Sequence, residues 1–155
     1  MNKNPPKEKI INQAIQFHLE GNITEAIRYY QYCINHGFND AMVFSNYGVI
    51  LQNLGKFREA ELSYRKALEI KPDYPEAYSN LGNILRYQGK SKEAELSIRK
   101  ALEIKPDYAE AYSNLANILK NQGKFKEVEL SIRKALEIKP DYAEAYSNLG
   151  NLLSD

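Results

Sequence analysis

The 155-residue chain is poor in the residues that build most chemical sites: it has one cysteine, two histidines and no tryptophan. Cys33 alone can form neither an intrachain disulfide nor a multi-thiolate site. His18 and His36 lack Cys, Asp or His partners at ligand spacing, so no metal centre is expected. A charge imbalance is missing too. With 21 Lys+Arg against 20 Asp+Glu the net charge is +1. No general field draws the chain to phosphate backbones or anionic lipid, and neither nucleic acid nor membrane is expected as a partner. Residues 1–16 are polar, and no long apolar run suggests a signal peptide or a membrane span, so a cytoplasmic location is expected. A phosphate-binding glycine loop, a paired-acid arrangement and a nucleophile motif are also lacking. The expectation is no enzymatic activity and no cofactor.

What the chain does contain is itself, repeated. Residues 73–106 and 107–140 align over a 34-residue period with six differences, and residues 39–72 share 20 of 34 positions with residues 73–106. Residues 5–38 keep Gly21, Ala26 and Tyr30 in register with Gly55, Ala60 and Tyr64, and residues 141–155 begin a further unit that stops halfway. A period of this length means an array of stacked supersecondary units. A single array over 1–155 is expected, with units 5–38, 39–72, 73–106, 107–140 and the half unit 141–155.

Within a unit the apolar period is helical. Over residues 75–88, Ala77, Tyr78, Leu81, Gly82, Ile84 and Leu85 share one half of the helical wheel, with Glu76, Ser79, Asn80, Asn83, Arg86 and Tyr87 on the other. Asp73 and Glu76 have capping-box spacing, as do Asp107/Glu110 and Asp141/Glu144. Gly89 ends the first helix. A second is expected from about Ser91, carrying Ala94, Leu96, Ile98, Ala101, Leu102 and Ile104 until Pro106 stops it. Glu61/Arg65, Glu95/Arg99 and Glu129/Arg133 sit four apart in the favourable order, each worth roughly 0.2–0.5 kcal/mol.

These features resemble the tetratricopeptide repeat family. They are an early aromatic in the first helix (Phe44, Tyr78, Tyr112, Tyr146), the Leu81-Gly82 pair and its equivalents, and the turn glycines Gly55, Gly89 and Gly123. To these add the small residues Ala60, Ala94, Ala67, Ala101 and Ala135 and the closing prolines Pro72, Pro106 and Pro140. Ala116 and Val128 depart from the pattern in the fourth unit, and Phe38 replaces the closing proline in the first. The resemblance implies an all-α, right-handed superhelical solenoid of stacked antiparallel helix hairpins, first helices lining the concave side. One hairpin cannot bury its apolar stripe alone, so neighbour interfaces supply most of the stability.

With first helices on the inside, their polar halves face a bound partner. Asn12, Asn46, Asn80, Asn114 and Asn148 form one column, flanked by Ser45, Ser79, Ser113 and Ser147. Asn83, Asn117 and Asn151 form a second. An amide offers both donor and acceptor, so such a ladder can pair with the backbone of an extended peptide whatever its side chains. This groove resembles that of the repeats in protein O-linked N-acetylglucosamine transferases, although this chain has no catalytic domain. Asparagine at these places also serves as a neutral, soluble residue, and the sequence leaves both readings open. The expected function is therefore a non-catalytic protein-protein interaction module. Asn12, Asn46, Asn80, Asn83, Asn114, Asn117 and Asn148 would contact the peptide, and Arg86 and Lys120 would add side-chain preference. Ile11, Ser45 and Glu76 stand where a carboxylate-clamping array of this family would carry basic residues, so that ligand class is not expected. The tyrosines and Cys33 are expected to pack between and within hairpins, and Glu76, Glu110 and Glu144 to act as caps.

The half unit poses a separate question. Tyr146, Leu149 and Leu153 lie on an apolar face for which residues 1–155 hold no second helix. Either the chain belongs to a longer protein, or this face mediates self-association into a homo-oligomer. The alternative functions are thus a self-assembling structural scaffold, or an accessory domain of a larger transferase.

Overall fold

The structure, a computed structural model, describes residues 5–154. Among these residues every regular element is helical: α1 Lys7–Leu19, α2 Ile23–Asn35, α3 Ala41–Asn53, α4 Phe57–Ile70, α5 Pro75–Tyr87, α6 Ser91–Ile104, α7 Ala109–Asn121, α8 Phe125–Ile138 and α9 Ala143–Ser154. Helices and turns fall where the period places them. Gly89 takes φ +76, the left-handed conformation that lets the chain leave α5 and re-enter as α6. No helix among the described residues is long and apolar enough to cross a membrane.

The helices gather into two compact units that divide at Pro72/Asp73, a repeat boundary. In the first unit, α1 pairs with α2 and α3 with α4, and α2 also packs on α3. Its core holds Ala14, Ala26, Tyr30, Cys33 and Val43, each fully buried. Cys33 fills the column of Ala67, as expected of a small core residue. Tyr30 and Tyr64 are also fully buried, and each hydroxyl finds a partner in the preceding helix. Tyr64 Oη donates to Gln52 Oε1 at 2.9 Å, and Tyr30 Oη lies 3.4 Å from His18 Nδ1. Burial lowers the His18 pKa and pushes the Tyr64 hydroxyl well above the usual phenol range.

In the second unit α5 pairs with α6 and α7 with α8, while α6 packs on α7 and α8 on α9. The second helices bury Ala94, Ser97, Ile98 and Ala101, and their counterparts Val128, Ser131, Ile132 and Ala135. Leu96 corrects the expectation. Named with the apolar residues of the second helix, it is 70% exposed, and Leu62 and Leu130 are exposed at 65% and 68%. The face of α6 toward its neighbours is set by Ala94, Ile98 and Ala101, and Leu96 lies off that stripe. The serine beside it turns inward instead: Ser97 Oγ donates to the Tyr78 carbonyl at 2.8 Å and ties the hairpin together. Ion pairs then cross from one hairpin to the next, Lys124–Glu95 and Arg99–Glu127, both at 3.2 Å.

The capping boxes do not form. α5 and α7 begin at Pro75 and Ala109 with Tyr74 and Tyr108 as N-caps and no side-chain cap bond, which leaves Asp73 and Asp107 one residue outside. Tyr74 and Tyr108 are both half-buried, and Pro75 suits the first helical position, where its missing N–H costs no intrahelical bond. The same offset applies to Asp141, since α9 starts at Ala143. Side-chain caps occur in the first unit instead: Asp40 Oδ1 accepts from the amides of Met42 and Val43 at 2.9 and 3.1 Å, and Asn22 Oδ1 from Glu25 at 3.4 Å.

Candidate functional site

Curvature decides which polar residues can meet a partner. In the second unit the first helices touch directly, α5 with α7 and α7 with α9, whereas no comparable packing joins α6 to α8. The first helices therefore form the shorter, inner wall. Within each hairpin a small residue of the first helix lets the second helix pack closely. A Cβ on Gly82 would lie 2.6 Å from Ile98 Cγ1, and one on Gly48 in the first unit 2.7 Å from Tyr64 Cε1.

The serine column is not on that wall. Ser79 and Ser113 are fully buried and Ser45 is 3% exposed, against the expectation that they flank the amides in the groove; only Ser147, on α9, is exposed. Their hydroxyls are spent between repeats. Asn114 Nδ2 donates to Ser79 Oγ at 3.1 Å and Asn148 Nδ2 to Ser113 Oγ at 3.2 Å, each bond spanning 35 residues. Ser113 Oγ in turn donates to Glu144 Oε1 at 3.3 Å. The asparagine column thus has a role that neither sequence reading contained, that of a polar seam holding successive first helices in register. Its signal was present as a serine followed by an asparagine 35 residues later, repeated along the chain.

The seam leaves part of each amide outside it. Asn114 and Asn148 are half-buried, as are Asn46 and Asn80, and Asn12 at the head of the column is exposed. An amide has two N–H donors and a carbonyl, so a bond through one N–H leaves the second N–H and the oxygen outside that bond while fixing their direction. The second column is also half-buried at Asn83 and Asn117, and exposed at Asn151. Asn83 Oδ1 accepts from Arg86 Nη2 at 3.1 Å, and the Arg86 guanidinium lies over the Tyr87 ring at 4.3 Å. Lys120, the equivalent of Arg86, is exposed. In the first unit this position pairs with a buried tyrosine (His18 with Tyr30, Gln52 with Tyr64); in the second, Ile98 and Ile132 replace the tyrosines.

The glutamates at the wall's entry are electrostatically coupled. Partial burial raises the Glu110 pKa first, and the carboxylates of Glu144 and Glu76 raise it further, with Lys105 and Lys139 opposing. Glu76 sits 3.7 Å from Lys105 Nζ, and Glu144 Oε2 accepts from Tyr142 Oη at 3.1 Å. Burial followed by Glu144 pushes Tyr142 up to about 12. Of these contacts the Ser113–Glu144 bond joins one repeat to the next, while Glu76–Lys105 and Tyr142–Glu144 lie within a repeat. Among the described residues no cluster of three or more His, Cys, Asp or Glu side chains is arranged to hold a metal ion.

The half unit is open. On α9, Tyr146 is 54% and Leu153 76% exposed, and Leu149 is half-buried. A Cβ on Gly150 would meet nothing within 4 Å, unlike one on Gly82.

A tetratricopeptide repeat model matches residues 109–142, and a second model of the same repeat matches 48–89 and 82–123. No curated protein matches the chain at a significant level. Among solved structures, MamA is 22% identical with a TM-score of 0.80 over 91% of this chain and 82% of its own. YrrB, described as a repeat protein with an unusual peptide-binding site, is 20% identical with a TM-score of 0.80 over 92% of this chain and 73% of its own. The first repeat domain of Spaghetti (RPAP3), bound to the HSP90 peptide SRMEEVD, is 24% identical with a TM-score of 0.71 over 74% of this chain and 91% of its own. At these identities the likeness speaks to the fold, which is the all-α superhelical solenoid of helix hairpins. Fold likeness and the two repeat models, which together span residues 48–142, lead to one statement: the chain belongs to the tetratricopeptide repeat family.

Proposed function

We propose that this protein-interaction module takes an extended peptide along the inner wall of its first helices, without catalysis. The observation that carries the reading is the pre-set amide. Asn114, bonded to Ser79 at 3.1 Å, keeps a second N–H and a carbonyl outside that bond. A fixed amide loses little freedom when it pairs with a peptide backbone, which is the gain of preorganisation. Asn80 and Asn148 continue that column in the second unit, with Asn83 and Asn117 beside it and Arg86 and Lys120 at its far edge, and Asn12 and Asn46 hold the same repeat position in the first unit. YrrB and the RPAP3 domain are similar proteins whose structures carry a peptide-binding site or a bound peptide.

The test is a displayed library of random extended peptides selected on the protein. Selected peptides should lose about tenfold or more in affinity on Asn80→Ala/Asn114→Ala, equivalent to about 1.4 kcal/mol, with helicity kept by circular dichroism. Because Asn114 also serves the seam, Asn83→Ala/Asn117→Ala is the cleaner partner variant. Unchanged affinity in both retires the ladder.

A second reading, self-association through α9, is favoured by Gly150. The same repeat position is filled to within 2.6–2.7 Å by Ile98 over Gly82 and Tyr64 over Gly48, yet is open over Gly150. In this reading Tyr146, Leu149 and Leu153 form the contact, and Leu149→Glu/Leu153→Glu converts an assembly to monomer in light scattering without changing peptide affinity. A monomer at high concentration before substitution removes it.

A further inference from the structure

Between α1 and the start of α3 lies a cavity of about 350 Å³, open to solvent and lined by Lys7, Glu8, Ile11, Asn12, Ile15 and Met42, with Asp40 at its edge. We infer that this cavity is a side-chain subsite of the peptide groove and that it accepts one large apolar residue of the partner (leucine, methionine or phenylalanine). The inference rests on the groove reading above and adds a specificity that the amide columns lack.

Repeat register shows how unusual the lining is. The position of Ile11 is serine at 45, 79, 113 and 147, and that of Ile15 is valine at 49 but asparagine at 83, 117 and 151. The position of Met42 is glutamate at 8, 76, 110 and 144. Three positions that are polar through the second unit, one of them the buried serine position, are thus apolar around this one cavity. Folding accounts for part of the change, since Ile11 is only 9% exposed and Ile15 packs against the core of the first unit. Folding does not account for Met42. It is 49% exposed at a position where the other repeats carry a charge. A flexible thioether at the mouth of an apolar cavity can adapt to side chains of different shape.

The rim settles the occupant's chemistry. Of its two carboxylates, that of Asp40 is already engaged by the amides of Met42 and Val43. It keeps its charge, so the rim sets Lys7 against Glu8 and Asp40 and offers an anionic side chain no net attraction, while Ile11, Ile15 and Met42 offer apolar contact. At about 350 Å³ the cavity is at the small end of ligand sites, roughly 300–1,000 Å³, a scale suited to one residue rather than a cofactor. Asn12 lies in the lining, so a peptide backbone paired with that amide in the first unit would set a side chain over the cavity mouth.

Methyl NMR on the full chain labelled at Ile and Met tests this, with N-acetyl-leucinamide and N-acetyl-phenylalaninamide as probes and N-acetyl-serinamide as control. Saturable shifts of the Ile11 and Ile15 δ1 and Met42 ε signals are expected at millimolar concentration for the two apolar amides only. They should vanish in Ile15→Asn/Met42→Glu, or in Met42→Glu alone should the double variant fail to fold. No saturable shift, an equal response to the serine amide, or a response that survives Met42→Glu overturns the subsite. The peptide library separates this outcome from the groove reading. Peptides that bind with no invariant apolar residue, with the amide probes silent, remove the subsite and keep the groove. Apolar amides that bind at Ile15 and Met42 while no peptide is selected remove the groove and keep the cavity.

Discussion

Asn114 and Gly48 show how single residues here answer to neighbours one hairpin or one repeat away. Ser79→Ala removes the acceptor of Asn114 in a fully buried position, so a loss of about 1 kcal/mol is expected. Chemical denaturation measures it, with the exposed Asn151→Ala as a control near zero. Glycine at one repeat position carries opposite expectations at two places. Gly48→Ala drives a methyl into the Tyr64 ring, which is pinned by its bond to Gln52, and should cost about 1–3 kcal/mol. Gly150→Ala meets nothing and replaces a poor helix former, so a gain of roughly 0.5–1 kcal/mol is expected. Equal effects at the two sites contradict the packing described here. Ala116 at the fourth-repeat equivalent, 1% exposed and matched with a fully buried Ile132, shows that such a crossing can settle around a methyl when the neighbour is Ile rather than Tyr.

At the scale of the element, α5, α7 and α9 place one carboxylate each at the entry of the inner wall, and the charges feel one another. Glu110 has a raised pKa in the folded protein, so its contribution favours folding below the ordinary carboxylate range and is lost as pH rises through the folded value. Glu110→Gln should therefore raise the melting temperature at pH 7, with the gain shrinking toward pH 4; an equal gain at both pH values contradicts the raised pKa that burial, then Glu144 and Glu76, give it. Glu95 on α6 behaves in the opposite sense. Burial works to raise it, but hydrogen bonds from Arg99, Gln122 and Lys124 outweigh that and hold it below the usual range. Its contribution is present above the ordinary carboxylate range and lost as pH falls through the folded value, and Glu95→Gln should cost stability at pH 7. The outer elements also carry Leu62, Leu96 and Leu130, exposed by 65–70%. Leu96→Gln should change stability by no more than about 0.5 kcal/mol, the range of ordinary surface substitutions.

At the scale of the whole molecule each hairpin depends on what covers it, so protection should follow coverage. α9 packs on α8 and α7 but leaves Tyr146 and Leu153 open, and its amides should exchange with solvent faster than those of α5 or α7. Hydrogen exchange followed by mass spectrometry reads this directly. Comparable protection of α9 would mean that its open face is covered in solution, the outcome expected of self-association.

The 34-residue period, the apolar stripe of each helix and the turn glycines determined the hairpins and their family from the sequence alone, because these are local properties that recur at fixed spacing. Cys33 could be read as a core residue for the same reason, from its column. The roles of the polar positions were decided only in three dimensions. Whether Ser79 faces a partner or a neighbouring helix, whether Leu96 is core or surface, and whether Asp73 or Tyr74 caps α5 all depend on the rotation of one helix against the next. A helical wheel fixes angles within a helix and is silent about what stands opposite, and that missing neighbour placed the serine column in a seam between repeats.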